Sequence, residues 1–160
     1  MSNLNQRRKI LKIIPVTKRT PQLIKQLTVV WENAVRNTHS FLTETDIQYF
    51  KNSMPDILTQ IPNLIIAVNE QQLPIGFMGI DGSEIAMLFI DQKYRGQGVG
   101  KRLIQFGIKN YQADRLTVNE QNPQAVGFYE HIGFVAYQRH ETDDQGKPFP
   151  VLKMKLNIRN

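Results

Sequence analysis

The stretch Arg95-Gly96-Gln97-Gly98-Val99-Gly100-Lys101 decides the fold of this 160-residue chain. The apolar run Glu84–Ile90 before it predicts a strand buried on both faces, and the apolar residues after it are spaced as on one face of a helix. A glycine-rich turn between a strand and a helix presents backbone N–H groups at the positive end of the helix dipole, which favours an anion. Four cations lie in or beside the turn, namely Lys93, Arg95, Lys101 and Arg102. The stretch therefore predicts a phosphate-binding turn.

Two common phosphate loops do not fit this turn. The dinucleotide fingerprint G-x-G-x-x-G, counted from Gly96, needs glycine where Lys101 stands. The P-loop G-x-x-x-x-G-K-[ST], ending at Gly100-Lys101, needs glycine at Arg95 and Ser or Thr at Arg102. A plain strand-to-helix turn is the remaining alternative, and three alternate glycines beside four cations argue against it.

The pattern outward from the turn predicts an α/β domain with a mixed sheet, in the order βααβββαβαββ. The predicted strands are Lys9–Ile14, Leu64–Val68, Ile75–Ile80, Glu84–Ile90, Arg115–Val118, Phe134–Arg139 and Val151–Leu156. Helices are predicted from Thr20-Pro21, from Thr43 or Thr45, after Gly100 and after Asn122. We expect Pro55 to limit the regularity of the second helix. We expect a single domain over residues 1–160, with residues 1–8 forming a flexible basic terminus.

Two motifs resemble signatures of one enzyme family. Arg95, Gly98 and Gly100 match R-x-x-G-x-G, which resembles the acyl-CoA pyrophosphate loop of the GNAT N-acetyltransferase superfamily. Residues 122–134, NPQAVGFYEHIGF, resemble the second signature of that family, N-x-x-A-x-x-F-Y-x-x-x-G-F. The chain is thus identified as a small bacterial GNAT member. The resemblance implies a GNAT fold, whose mixed central sheet is splayed at the acyl-CoA site and flanked by helices.

The resemblance also implies acetyl-CoA as co-substrate and assigns residues to it. The backbone of Leu88, Phe89 and Ile90 would hold the pantetheine arm, although ordinary core packing explains the same side chains. The pyrophosphate would lie on the turn, at Arg95, Gly96, Gln97, Gly98, Val99, Gly100 and Lys101. Asn122 and Phe128 belong to the same predicted cofactor site.

The implied reaction is direct acyl transfer from the thioester to an amine in a ternary complex. Tyr129 matches the family tyrosine that protonates the departing thiolate, and a phenol is a proton donor at pH 7. The alternative role of Tyr129 is an aromatic core residue beside Phe128. The proton of the attacking amine needs a base within hydrogen-bond reach, directly or through a water.

Glu84 is the first candidate for this base. Strand alternation places Glu84, Ala86, Leu88 and Ile90 on one face, and some family members have a glutamate at this place. The alternative for Glu84 is an exposed acid that follows the hairpin turn Asp81-Gly82.

His39 is the second candidate. Residues 31–42, WENAVRNTHSFL, resemble a W-E-x-A-V-x-x-T-H-x-F-L stretch in a subset of small bacterial GNAT proteins. That stretch lies over the acceptor pocket in the family. His39 titrates near neutrality, so it can be a base, a substrate contact or a helix-end cap. Phe41 and Trp31 can line the pocket, with the core as the alternative for Trp31.

The charge is unevenly spread along the chain. The net charge is +6, from 20 Lys and Arg against 14 Asp and Glu. Residues 1–31 hold seven basic groups and residues 92–113 hold five, both without an acid, which leaves 8 basic groups against 14 acids elsewhere. No aromatic residue precedes Trp31, so the N-terminal cations lack the stacking platform of a nucleic-acid site. The acidic remainder favours a cationic amine acceptor.

Composition excludes further classes of protein. The chain has no cysteine and three scattered histidines, which excludes disulfides, thiolate chemistry and a transition-metal site. No apolar run approaches the roughly 20 residues of a membrane span. We therefore expect a cytoplasmic N-acetyltransferase acting on a small-molecule or peptide amine, without nucleic acid, membrane or metal. The alternative is a GNAT-fold protein that binds acyl-CoA without turnover. A homodimer is possible through the strand Val151–Leu156 or through an exposed sheet edge.

Overall fold

A computed structural model describes residues 11–157, and in that range it confirms the predicted order of elements. The strands are β1 (Lys12–Pro15), β2 (Asn63–Val68), β3 (Pro74–Asp81), β4 (Glu84–Ile90), β5 (Arg115–Asn119), β6 (Phe134–His140) and β7 (Val151–Leu156). The helices are α1 (Pro21–Thr38), α2 (Glu44–Gln60), α3 (Val99–Tyr111) and α4 (Pro123–Ile132), with a 3₁₀ turn at Gln92–Tyr94. The terminus predicted over residues 1–8, and the start of the first strand at Lys9, lie outside the described residues.

The first two helices begin where the sequence places their caps. The Thr20 side chain accepts a hydrogen bond from the Leu23 amide, and Pro21 is the first residue of α1. Thr43 and Asp46 accept each other's backbone N–H, which forms a capping box before α2. This helix continues through Pro55 to Gln60, so the proline does not end it.

The strands form one mixed sheet in the order β1-β2-β3-β4-β5-β7-β6, in which only β4 and β5 are parallel. The pairing of β4 with β5 covers two residue pairs, Glu84 with Arg115 and Ile85 with Leu116. Beyond these pairs the two strands separate, so the remainder of β4 has a neighbour on one side only. This arrangement confirms the predicted fold class, a mixed sheet splayed at its centre.

A β-bulge in β4 changes the faces that its residues present. Gly79 pairs with Met87 and the next residue, Ile80, pairs with Ile85, so Ala86 is an extra residue in the ladder. Ile85 therefore packs in the same cluster as Leu88 and Ile90, beneath α3, although strict alternation would separate them. The predicted alternation was wrong at Glu84, because the bulge moves Glu84 to the face opposite Leu88 and Ile90.

Two apolar clusters cover the two faces of the sheet. One lies beneath α3 and α4 and includes Met78, Leu103 and Met154, and the other lies beneath α1 and α2 and includes Leu27 and Phe77. The end of β4 packs only at the margins of these clusters, since residues 87–90 are half-buried. The prediction of a strand buried on both faces was wrong because this segment borders open cavities.

The last strand, β7, lies inside the sheet. It pairs with β5 on one side and with β6 on the other. Val151–Leu156 therefore has no free edge for pairing with a second chain, contrary to one of the two routes expected for a dimer. At this end of the sheet the edge strand is β6, where Val135 and Tyr137 are each 49% exposed. Within residues 11–157, no helix is long and apolar enough to cross a membrane.

Candidate active site

A cavity of about 280 Å³ lies at the splayed end of β4. Its walls come from β4, from the glycine turn, from the start of α3, from α4 and from the end of α1, where Thr38 lines it. The predicted cofactor residues that line it are Leu88, Phe89, Ile90, Arg95, Gly96, Gly98, Val99, Gly100, Lys101, Asn122 and Phe128. Gln97 does not line it, because its side chain turns back to donate a hydrogen bond to the Lys93 carbonyl. The structure thus brings all but one of these residues to a single cavity.

The glycine turn leaves backbone donors open at the start of α3. Gly96 and Gly98 have φ values of +75° and +82°, a region that residues with a Cβ rarely adopt. Gly98 is the N-cap of α3 and has no side chain to satisfy the first N–H groups of the helix. A Cβ at Gly100 would lie 3.2 Å from Phe128 Cζ, so glycine allows α3 to lie against α4. These features, beside four cations, fit an anionic group such as a pyrophosphate.

Three hydrogen bonds from more distant residues hold the walls of this cavity. Asn33 on α1 donates to the Asp91 carboxylate at 3.1 Å, and Asn69 donates to the Tyr94 hydroxyl at 3.3 Å. Arg95 donates to the Gln124 side-chain oxygen on α4 at 2.6 Å. Sequence reasoning missed Tyr94 and Gln124 as lining residues. The signal available for Tyr94 was its position directly before the motif arginine.

Tyr129 forms part of the same cavity wall and is 8% exposed. Its ring lies edge-on to Phe128 and Phe134, at centroid distances of 5.3 and 6.0 Å. Burial raises the pKa of the Tyr129 phenol above its ordinary value, so the hydroxyl keeps its proton at neutral pH. Asn122 accepts a hydrogen bond from the Ala125 amide and so caps the helix that carries this tyrosine.

A second cavity, of about 270 Å³, lies beside the first. It has an aromatic wall made of Trp31, Phe41, Phe50 and Phe149. The β6–β7 loop closes another side and contributes Asp143 and Asp144. Phe149 holds this loop in place, because its ring lies 5.6 Å from Phe41 and 6.4 Å from Phe50. The cavity therefore combines apolar walls with two carboxylates.

His39 and Phe89 line both cavities and mark the place where they meet. The His39 amide donates to the Val35 carbonyl, which closes the last turn of α1. Its ring lies against Phe41 and Phe89, at centroid distances of 5.3 and 6.4 Å. Burial lowers the pKa of the His39 imidazole from 6.5 to about 4, so the ring is neutral at pH 7. His39 is thus a helix-end cap and a cavity residue together.

The remaining predicted residues lie at different distances from this junction. Trp31 is 4% exposed and packs edge-on to Phe89, so it is both core and cavity wall. Glu84 lines neither cavity. It accepts a hydrogen bond of 3.4 Å from Thr117, which does line the second cavity. The Thr117 side chain therefore lies between Glu84 and the second cavity.

Two arginines of the basic stretches 1–31 and 92–113 bond to backbone carbonyls. Arg19 donates to the carbonyls of Leu58, Thr59 and Pro62 at the end of α2, where a cation also suits the helix dipole. Arg102 donates to the Leu11 carbonyl. Over residues 11–157, no three His, Asp or Glu side chains lie together in a way that could hold a metal ion.

Comparisons with known proteins bear on the family of this chain. The family described as the acetyltransferase (GNAT) domain matches residues 31–158. Peptidyl-lysine N-acetyltransferase YjaB of Salmonella typhimurium is 40% identical over 130 residues, which cover 81% of this chain and 89% of that protein. YjaB of Escherichia coli is 39% identical over 130 residues, covering 81% and 88%.

Solved structures give the same answer for the fold. The solution structure of apo YjaB from Escherichia coli has a TM-score of 0.82 and 36% identity, covering 91% of this chain and 97% of that one. The PaiA N-acetyltransferase of Thermoplasma acidophilum, solved in complex with coenzyme A, has a TM-score of 0.69 and 19% identity, covering 90% and 99%. At that identity the second likeness shows the fold alone.

Proposed function

Because the chain belongs to the GNAT acetyltransferase family, we propose that it transfers an acetyl group from acetyl-CoA to the side-chain amine of a lysine in a peptide or protein. Acetyl transfer to an amine is the activity that the family and the similar YjaB proteins share. The narrower choice of lysine rests on the peptidyl-lysine acetyltransferases named above and on the second cavity. The comparisons favour an enzyme over a protein that binds acyl-CoA without turnover.

The meeting of two cavities at His39 and Phe89 is the observation that carries this proposal. A direct transfer requires the thioester and the amine to reach one point from separate sites. The first cavity has the open backbone donors and cations that suit a phosphate-bearing molecule. The second has apolar walls and carboxylates that suit an alkyl amine. The shared residues lie where the two ligands would meet.

The first cavity would hold acetyl-CoA by its backbone and by its cations. We assign the N–H groups at the start of α3, with Arg95 and Lys101, to the pyrophosphate. The main chain of Leu88, Phe89 and Ile90 lacks a partner strand on the β5 side, so its polar groups are available to an extended pantetheine arm. When bound, acetyl-CoA supplies the activated thioester whose acetyl carbon is transferred.

Proton movements would use the neutral side chains of the site. We assign to Tyr129 the donation of a proton to the departing sulfur, because its hydroxyl stays protonated and its side chain lines the first cavity. His39 is neutral and lies at the junction, so it can accept an N–H of the amine. Glu84 is the second candidate base, and it would act through Thr117 or a water.

The second cavity would hold the acceptor lysine. The four CH₂ groups of a lysine side chain fit the wall formed by Phe41, Phe50 and Phe149, while the ammonium end needs a polar environment. Asp143 and Asp144 at the β6–β7 loop attract cations toward the mouth of the cavity. We therefore expect peptides with a further basic residue near the target lysine to bind better than acidic ones.

The test is acetylation of a short peptide with a blocked N-terminus and one lysine, followed as CoA release and located by mass spectrometry. We expect acetylation at the lysine and none on the same peptide carrying arginine instead. Free lysine, a polyamine and an aminoglycoside serve as small-amine competitors. Acetylation of these amines without the peptide would overturn the lysine proposal. Tight acetyl-CoA binding without CoA release for any amine would point instead to a binding protein.

A pair of charge variants locates the acceptor site. Asp144→Asn removes a carboxylate beside the second cavity, and we expect a higher KM for a basic peptide with an unchanged KM for acetyl-CoA. Asp81→Asn is the matched control, because Asp81 is an exposed acid at the turn between β3 and β4. Equal effects of the two variants would show that the second cavity does not bind the peptide.

A further inference from the structure

The hydroxyl of Thr38 lies within hydrogen-bond distance of two partners at the end of α1. Its Oγ1 is 2.8 Å from the Ala34 carbonyl oxygen, one helical turn back. The same atom is 2.7 Å from Nδ1 of His39, the next residue. Both distances lie within the ordinary range of hydrogen bonds, and two polar atoms this close need a proton between them.

Counting protons fixes the direction of each bond. A carbonyl oxygen only accepts, and a threonine hydroxyl has one proton to give. If the hydroxyl donates to Ala34, its lone pairs remain to accept a proton from Nδ1–H of His39. In the reverse arrangement, the hydroxyl donates to Nδ1, and two oxygen lone pairs face each other at 2.8 Å with no proton between them. Only the first arrangement satisfies both contacts.

The other ring nitrogen is then the acceptor. A neutral imidazole carries one proton, so protonation at Nδ1 leaves a lone pair on Nε2. Among residues 11–157, the only buried side-chain nitrogen or oxygen without a partner is His140 Nε2. His39 Nε2 also has no hydrogen-bond partner in that range. Because it is not among the fully buried atoms, this nitrogen keeps some accessible surface beside the cavities.

We propose that Thr38 is a positioning residue that holds His39 in its Nδ1–H tautomer, so that the Nε2 lone pair accepts an N–H of the amine at the junction of the two cavities. This inference rests on the proposed function. As the amine nitrogen bonds to the acetyl carbon, its proton moves to Nε2, and the ring becomes an imidazolium that Thr38 still accepts from at Nδ1. The carbon–sulfur bond breaks, and the sulfur takes a proton from Tyr129. Solvent then removes the proton from His39 and returns one to Tyr129.

The surroundings of His39 support this role. Its ring is fixed between Phe41 and Phe89 and its backbone closes α1, so little rotational freedom remains. Burial also keeps the ring from holding a proton at neutral pH, which leaves Nε2 available at the start of each turnover and favours proton release at its end. A ring in the Nε2–H tautomer would instead present a donor to the amine and could not take its proton.

The first test reads the tautomer directly in the free protein. Nitrogen-15 NMR distinguishes the protonated from the unprotonated ring nitrogen of His39 at neutral pH. We expect Nδ1 to be protonated in the wild type and in Thr38→Ser, which keeps the hydroxyl. In Thr38→Val, which keeps the shape without the hydroxyl, we expect a shift toward the Nε2–H form. A wild-type ring protonated at Nε2 overturns the inference, whether or not any variant folds.

The second test reads catalysis with the same variants. We expect Thr38→Val to lower kcat by about tenfold or more, because the molecules whose ring adopts the Nε2–H form lack the general base. The KM for acetyl-CoA should be unchanged. Thr38→Ser should restore kcat. Thr28→Val is the matched control, because Thr28 makes the same bond to the carbonyl four residues back in α1 but has no histidine beside it. An unchanged kcat in Thr38→Val overturns the inference.

The two proposals can fail separately. Failure of the lysine proposal appears in the wild type, as absence of acetylation on the blocked peptide. The tautomer and the effect of Thr38→Val are then measured with whichever amine the enzyme accepts. A protonated Nδ1 together with a slow Thr38→Val enzyme supports the role of Thr38 for any such amine.

Discussion

Acidification should destabilise this protein in part through the side chain of His39. The imidazole has a pKa of about 4 in the folded chain against 6.5 for an ordinary histidine, because burial disfavours its charged form. Between these values the unfolded chain binds a proton that the folded chain does not. The free energy of unfolding therefore rises with pH in this window. The part of it that comes from the neutral His39 ring is lost as the pH falls below 6.5.

The size of the effect follows from the same two values. At pH 5, the unfolded ring is protonated and the folded ring is mostly neutral. The 1.5 pH units below 6.5, at about 1.4 kcal/mol each, give a loss of about 2 kcal/mol relative to pH 7.5. The loss reaches about 3 kcal/mol below pH 4, where the folded ring also takes up its proton. This is a sizeable part of the stability of an ordinary domain, about 5–15 kcal/mol.

Urea unfolding at pH 7.5 and pH 5, followed by circular dichroism, measures this loss. His39→Gln is the reference, since glutamine is polar but does not titrate. The carboxyls of Glu32, Glu44 and Glu120 have lowered pKa values because of their arginine and lysine partners. Their contribution to the stability of the protein falls at lower pH in both the wild type and the variant. The wild type should therefore lose about 2 kcal/mol more than the variant. Equal losses in the two proteins would refute the reasoning and mean that solvent reaches the folded ring freely.

Two further predictions concern the first cavity. Tyr129→Phe should lower kcat by about 10²-fold or more, because it removes the proton donor that we propose. The acetyl-CoA affinity of this variant by calorimetry should match the wild type, with Tyr111→Phe outside the cavity as control. An unchanged kcat would remove Tyr129 from the acid role. Gly98→Ala should cost about 1–2 kcal/mol, because its φ of +82° disfavours a Cβ, and should weaken acetyl-CoA binding. Gly127→Ala, with open space and helical backbone, should instead stabilise by about 0.5–1 kcal/mol in urea unfolding, and the same sign for both glycines would contradict this account.

The parts of the fold that depend on near neighbours could be predicted from the sequence. The glycine turn and the helix starts at Thr20, Thr43 and Asn122 are set by residues within a few positions. A chain of such local signals gives the order of elements. The parts that depend on pairing between strands could not be predicted in this way. The bulge at Ala86 exists only in the register of β4 against β3, and it decides the face of Glu84.

The candidate site likewise has a part that local sequence predicts and a part that depends on distant contacts. The first cavity lies largely within two contiguous motifs, so its residues could be assigned in advance. The second cavity draws Phe149 and Asp144 from a loop that precedes β7, and no local pattern places that loop over α2. Thr38 and His39 are adjacent in sequence, but the bond between them depends on how α1 ends. Their relation becomes visible only with the side chains in place.

The position of β7 sets the order in which the parts of this enzyme can fold during synthesis. β5 has only two pairs with β4 but five with β7, so its main partner emerges some thirty residues after it. Until then, the backbone N–H and C=O groups on the edges of β5 and β6 have no partner strand. Such edges can pair with the wrong strand or bind chaperones. The second cavity cannot form before β7 is made, because Thr117 and Val118 in its wall belong to β5 and Val151 belongs to β7 itself. A nascent chain can therefore form its glycine turn well before it can form the second cavity.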